Sequence, residues 1–357
     1  MEINRRDFIS FTGAGVASLF LENPAYAADK PAFITTAKTQ AGHFEAILLS
    51  QEGHILKRHK LPGRGHGGTY DPVRNTNVVF ARRPDRYALI LDGNAGTAAL
   101  IHPPEDRHFF GHGVFSADGS LLYATENAFE EEKGVIGVYD AANDFNRVGE
   151  FDSGGIGPHD LCLSKDGQHL VIANGGILTH PEYPRQKLNL PDMKPCVTIL
   201  HAKSGKISKR FILPREHYQI SLRHLAGDGD GTIWIGGQYQ GALTAKVPLL
   251  FKLDNHADAL APVSLKDSLL AEARQYIGSV SVNKSAALAA FSAPRGGLVF
   301  IWNLKTNRLH QVIREPDACG LAPHADDFLI SSGFGHILSG KTRQTLPYHW
   351  DNHILAL

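Results

Sequence analysis

Three observations predict an all-β fold, a seven-bladed β-propeller closed by N- and C-terminal strands in one blade. A unit of two apolar strands joined by an Asp-Gly type turn recurs at intervals of 46, 47, 65, about 54 and about 41 residues. Gly contributes 36 and Pro 19 of 357 residues, a density of chain-turning residues suited to many short strands. The two chain ends supply complementary parts of one further unit.

Residues 1–27 read as a twin-arginine signal peptide. Asn4-Arg5-Arg6-Asp7-Phe8-Ile9 carries the arginine pair, a weakly apolar stretch follows to Leu21, and Ala25-Tyr26-Ala27 is a small-x-small cleavage site. The apolar run is too short for a span and is broken by Gly13 and Gly15, so stable membrane insertion is not expected. A periplasmic location follows, with residues 28–357 as a single propeller domain. Without the leader the formal charge is +1, from 34 basic and 33 acidic residues. That balance gives no footprint for nucleic acid. A monomer is expected.

The domain opens with a strand at Phe33-Ile34-Thr35-Thr36-Ala37, in the place of a blade's second strand. Phe44–Leu49 and His54–Lys60 follow as its third and fourth. The missing first strand is Asn352-His353-Ile354-Leu355 from the C-terminus, which matches Pro158-His159-Asp160-Leu161. Pairing the two ends leaves no free sheet edge. The internal units begin at His66, His112, His159, His224, Gly278 and Ala318. Two long intervals hold inserts, a Pro-broken loop from Thr179 to Pro195 and a predicted helix from Ser264 to Tyr276 capped by Ser264-x-x-Asp267. Cys162, Cys196 and Cys319 are an odd set, and Cys162 and Cys319 lie in apolar strands of distant units, so buried free thiols are expected.

Histidine is over-represented at 19 residues. His66, His112, His159, His224 and His353 each start the first strand of a unit, and first strands line a propeller's channel. Their register is uneven. His112 stands six residues before the Asp of its turn and His159 seven, and a slip of one residue turns a side chain to the other face. Two readings are open: histidines that join strands by hydrogen bonds to backbone, or a funnel that binds a metal, a haem or a small anion. Arg64, Arg107 and Arg223 lie close to three of the histidines, and Arg82-Arg83-Pro84-Asp85-Arg86 follows another strand. Guanidinium forks suit carboxylate, phosphate or haem propionate, although pairing with Asp71, Glu126 or Asp160 is the plainer role for any one of them. Glu126-Asn127, Asn174-Gly175-Gly176 and Gln238-Tyr239 end second strands at matching places and predict a polar ring on one face. The candidate ligand-binding residues are Arg83, Arg107, Glu126, Asn127, Asn174, Arg223 and Gln238. The candidate metal ligands are the five histidines, with Fe, Cu or haem as candidate cofactors.

Several stretches carry a resemblance. They are Ala81-Arg82-Arg83-Pro84, Arg107-His108-Phe109-Phe110-Gly111-His112-Gly113, Tyr123-Ala124-Thr125-Glu126-Asn127, Gly155-Ile156-Gly157-Pro158-His159-Asp160, Ala173-Asn174-Gly175-Gly176-Ile177, Arg223-His224-Leu225 and Trp350-Asp351-Asn352-His353. In this order they resemble the bacterial domain-of-unknown-function 1513 family; Lys194-Pro195-Cys196 departs from its pattern. The resemblance implies a twin-arginine-exported periplasmic propeller encoded near imelysin-like and di-haem oxidoreductase proteins in iron-responsive gene clusters, and no reaction. The expected function is a periplasmic binding module that holds a metal ion or a metal-containing ligand in a His/Arg-rich channel mouth and is linked to iron acquisition. The alternatives are a lactonase-like, metal-assisted hydrolase in which Glu126, Asp160 or Asp351 joins the histidines, and a protein-interaction scaffold with structural histidines.

Overall fold

Each unit read from the sequence folds as one antiparallel sheet in the computed structural model, which describes residues 21–22, 29–83, 85–183 and 186–357. The twin-arginine pair and the cleavage motif lie outside the described residues. Seven sheets stand around one axis. Blade 1 runs, from the inside outward, Tyr348–Ala356, Phe33–Thr39, Phe44–Leu49 and Ile55–Leu61, with Leu21–Glu22 paired to its outer edge. The inner strands of blades 2 to 7 are Gly65–Asp71, Arg107–Phe115, Pro158–Leu163, Ile220–Gly227, Ser279–Asn283 and Ala318–His324. Closure by the two chain ends is therefore as the sequence predicts. Phe33 pairs with Ala356 and Thr39 with Tyr348, and the Thr35 hydroxyl donates to the His353 carbonyl at 2.7 Å.

Alternating strand residues send apolar side chains to both faces of each sheet, and these interlock between blades. Ile34 and Leu48 of blade 1 pack with Val79 and Leu89 of blade 2. Phe33 and Ile47 of the same blade pack with Leu329 and Ile337 of blade 7. Burial of each such side chain contributes about 1.5–3 kcal/mol. The last contact exists only because the C-terminal strand holds blade 1 in place.

The inner strands depart from regular pairing where the histidines stand. Pairing slips between Gly65 and Gly68 around His66, and between Phe109 and Gly113 around His112. It slips again between Pro158 and Asp160 around His159, between Leu222 and His224, and between Trp350 and Ile354 around His353. A β-bulge bends the strand and re-aims a side chain. Blade 6, whose inner strand carries no histidine, pairs its first two strands without a slip, whereas blade 7 slips between Ala318 and Leu321 without supplying a ring. The bulges thus cancel the uneven spacing of His112 and His159, and all five side chains face the axis.

Two expectations need correction. The helix covers only Asp267–Glu272, and no side chain caps it, because Lys266 rather than Ser264 precedes the first turn. All three cysteines are free, as expected, but Cys162 is only partly buried. No helix among the described residues is long and apolar enough to cross a membrane.

Removing Tyr348–Leu357 strips blade 1 of its innermost strand and opens the ring. The truncated protein is expected to lose its cooperative thermal transition and to be cut rapidly by protease; a melting curve matching the full-length protein would contradict closure as the fold's latch.

Candidate metal centre at the channel neck

The bulges deliver five imidazoles to one narrow point of the channel. Taken in blade order, ring centroids are 5.0 Å apart for His66 and His112, 5.0 Å for His112 and His159, and 4.7 Å for His159 and His224. The circuit closes at 4.9 Å from His224 to His353 and 4.7 Å from His353 to His66. Such close packing depends on missing side chains. Gly111 has φ +105°, and a Cβ there would lie 2.5 Å from the His66 ring; one on Gly67 would lie 2.8 Å from the His112 ring.

The backbone-bridging role for these histidines is not what the structure contains. Each ring has a buried nitrogen without a hydrogen-bond partner: Nδ1 of His66, His159 and His224, and Nε2 of His112 and His353. Other histidines of this protein do bond to backbone carbonyls, as His108 does to Phe109 and His349 to Gly333. In two overlapping sets, His66–His112–His353 and His112–His159–His224, the ligand nitrogens all lie within 4.8 Å of one another. Nitrogens bound at about 2.1 Å to one ion can be at most about 4.2 Å apart, so slight ring rotations would bring either set onto a metal.

Two carboxylates flank the ring. Asp160 Oδ1 lies 3.3 Å from His112 Nδ1, and the carboxylate accepts backbone N–H groups from Leu161 at 2.8 Å and Leu225 at 3.1 Å. Burial pushes it up to about 7 against those two donors. Asp351 Oδ1 lies 3.7 Å from His66 Nδ1, and Arg64 donates to the same carboxylate. Burial alone would raise Asp351, but His66 and Arg64 outweigh it and hold the group at about 2. A carboxylate behind a ligating imidazole fixes the ring's orientation and tautomer. Burial holds all five imidazoles below the ordinary histidine range. Neighbouring imidazoles and the arginines act in the same direction, and only at His66 does a carboxylate, Asp351, oppose them. The rings are neutral, the form that ligates metal.

The channel differs on the two sides of this neck. On one side a cavity of about 380 Å³ runs past Thr69, Leu161, Ala226, Ser281 and Pro323. On the other side lie Arg64, Arg82, Arg83 and Arg223. Arg223 occupies the bulge beside His224, and its Nε is buried and unpartnered. Arg83 lies over the Phe110 ring at 5.4 Å.

The remaining predicted residues are not brought to this mouth as free groups. Arg107 is held by Asp106, Glu131 and Glu150. Glu126 is fully buried and accepts from Tyr139 and Arg147, so it faces its own blade. Asn127 bonds His108 and the Thr179 carbonyl, Asn174 bonds Ser153 and Thr198, and Gln238 donates to the Ile277 carbonyl. The predicted polar ring is a set of internal ties. Sequence reasoning missed the far cavity and the part played by Gly67 and Gly111, although a Gly beside each of those histidines was the available signal.

The model of the family described as a protein of unknown function, DUF1513, matches residues 59–357. The chain belongs to the DUF1513 family. No curated protein matches its sequence. Among solved structures, this DUF1513 propeller is similar to a chain of Kuenenia stuttgartiensis hydrazine synthase, with 12% identity, a TM-score of 0.62, and 94% of this chain and 98% of that chain covered. It is also similar to a chain in the mitotic checkpoint complex, at 14% identity and TM-score 0.58 over 80% of this chain and 82% of that chain. At such identities the likeness is one of fold.

The neutral ring sets the acid response of this DUF1513 protein. An unfolded histidine takes up a proton as pH falls through about 6.5, while the buried rings resist it, so the unfolded state binds more protons there and stability falls as pH drops. Asp160, raised to about 7, takes up a proton on folding and opposes the trend, but it is one group against five. Urea unfolding midpoints are expected to fall steeply from pH 7 to pH 5. The slope should flatten in a His159→Gln, His224→Gln variant; an unchanged slope would mean that the ring is protonated in the folded state.

Proposed function

We propose that this protein is an exported metal-binding module that takes a first-row transition ion into the five-histidine neck and serves iron acquisition in the periplasm. One observation carries the metal reading: five buried imidazoles meet with a nitrogen each left without a partner. Neutral imidazole is the common protein ligand for Fe, Cu and Zn, and it binds without first losing a proton. Three or four rings bind the ion while the rest complete the wall. Asp160 and Asp351 stand behind His112 and His66 and orient them. The export route rests on the twin-arginine leader. The link to iron, and to imelysin-like or di-haem oxidoreductase partners, rests on the family's gene neighbourhood.

A binding role suits these residues better than hydrolysis. The neck is built from imidazoles, Glu126 is tied to Tyr139 and Arg147 within its own blade, and Asp160 and Asp351 each stand beside a ring that they orient, His112 and His66.

The protein, exported through its own leader and purified without a histidine tag, is expected to carry or take up about one equivalent of Fe, Cu or Zn by mass spectrometry. A folded His112→Ala, His159→Ala variant, lacking two ligands of the second set, should lose at least about 100-fold in affinity. Full retention of metal by that variant, or a wild-type protein that takes up none on titration, would leave the neck without a metal role.

A further inference from the structure

The arginines above the neck have a chemistry that the metal reading does not use. Arg82 and Arg83 come from the turn after the second strand of blade 2, and Arg223 from the inner-strand bulge of blade 5, on the opposite side of a seven-membered ring. Arg64 is spent on Asp351, and Arg82 reaches the same carboxylate only at 3.8 Å. Asp317 and Asp85 lie near Arg64 as well. Neither Arg83 nor Arg223 has a carboxylate within ion-pair distance or a side-chain hydrogen bond among the described residues. Both are half-buried, with Arg83 resting on Phe110. Burial, and with it the charges of Arg223 and Arg82, draws Arg83 down to about 10. Exposed Lys187, from the blade 4 insert, adds a further cation near Arg223.

A protein does not hold unneutralised, half-buried guanidiniums together without cost; an anion between them offsets it. We infer that the mouth is an anion seat, in which Arg223 on one wall and Arg82–Arg83 on the other clamp a small di- or tricarboxylate directly above the histidine neck. Two carboxylates on one molecule can pair both walls at once, each meeting a planar fork in the bidentate geometry that guanidinium favours. A single tetrahedral anion presents one group and would leave the far wall unpaired. The seat follows from the arginines alone and stands whether or not the neck holds a metal.

Calorimetric titration of the chelator-treated full mature chain with citrate tests this. Stoichiometric binding is expected, much weaker with acetate, and weakened roughly 10- to 100-fold in each of Arg83→Gln and Arg223→Gln, the loss that follows from removing one charged hydrogen-bonding partner. Arg223→Lys, which keeps the charge but not the fork, should bind with intermediate affinity and guards against a folding defect in the glutamine variant. Absence of citrate binding to the wild-type protein, or equal affinity in folded Arg83→Gln and Arg223→Gln, would overturn the seat. Phosphate binding as tight as citrate would overturn the carboxylate assignment. Because the titration is run without metal, failure of the metal reading leaves its result untouched, and the reverse.

Discussion

The structure turns on bringing five buried imidazoles to one neck of the channel with a ring nitrogen of each outside hydrogen-bond reach of any protein group. A buried polar atom left without any partner costs about 1–3 kcal/mol, so a ring of imidazoles is a costly filling for a neck unless something bonds to them. Much else in the inner strands follows from that constraint. Each ring histidine stands at or beside a bulge of its inner strand, and the glycines flanking His66 and His112 give up side chains so that the rings can approach. A propeller that needed only a plug would fill its neck with apolar residues, as it fills the spaces between its blades. The unbonded nitrogens therefore mark the neck as a place that something else completes.

The polarity of the channel sharpens that conclusion. Arg64, Asp351 and the other arginines precede or flank the histidines on one side, whereas Asp160 and the cavity follow them on the other. An ion held by neutral imidazoles keeps its full positive charge, which would be repelled by the arginine side were nothing between them. An anion clamped by the arginines removes that repulsion. The two proposals then reinforce each other electrostatically, although each rests on its own residues.

The architecture was legible because its period is set by strand length and turn chemistry, both local properties. Asp-Gly turns between apolar strands marked the blades, and the likeness of Asn352–Leu355 to Pro158–Leu161 marked the closure. Convergence of the histidines was only half legible. Counting residues to the turn put His112 and His159 out of register, because a bulge absorbs extra residues without any sequence sign beyond nearby glycine. The polar ring was misjudged for another reason. Glu126, Asn127, Asn174 and Gln238 do recur at matching positions, but matching position fixes only where the backbone lies. Whether a side chain reaches the channel or turns back depends on partners such as Tyr139, Arg147 and Ser153, which are remote in sequence. The helix was drawn too long because a cap-like Ser264-x-x-Asp267 spacing says nothing about whether the intervening backbone turns.

Five of the seven blades supply the ring, and the other two fill their places differently. Blades 6 and 7 place Ser279, Ser281 and Cys319 where the other blades place histidines. Cys319 turns outward, its thiol against the Asp351 carbonyl at 3.2 Å and the Ser331 carbonyl at 3.5 Å, so it ties blade 7 to blade 1 and offers nothing to the axis. Five imidazoles from consecutive blades 1 to 5 close their own circuit, because His224 and His353 meet at 4.9 Å across the gap that blades 6 and 7 leave, and His112 is common to both ligand sets. Of the five rings, His112 is also the one that Asp160 backs most closely, so the carboxylate stands behind the ligand that either arrangement of the site must use.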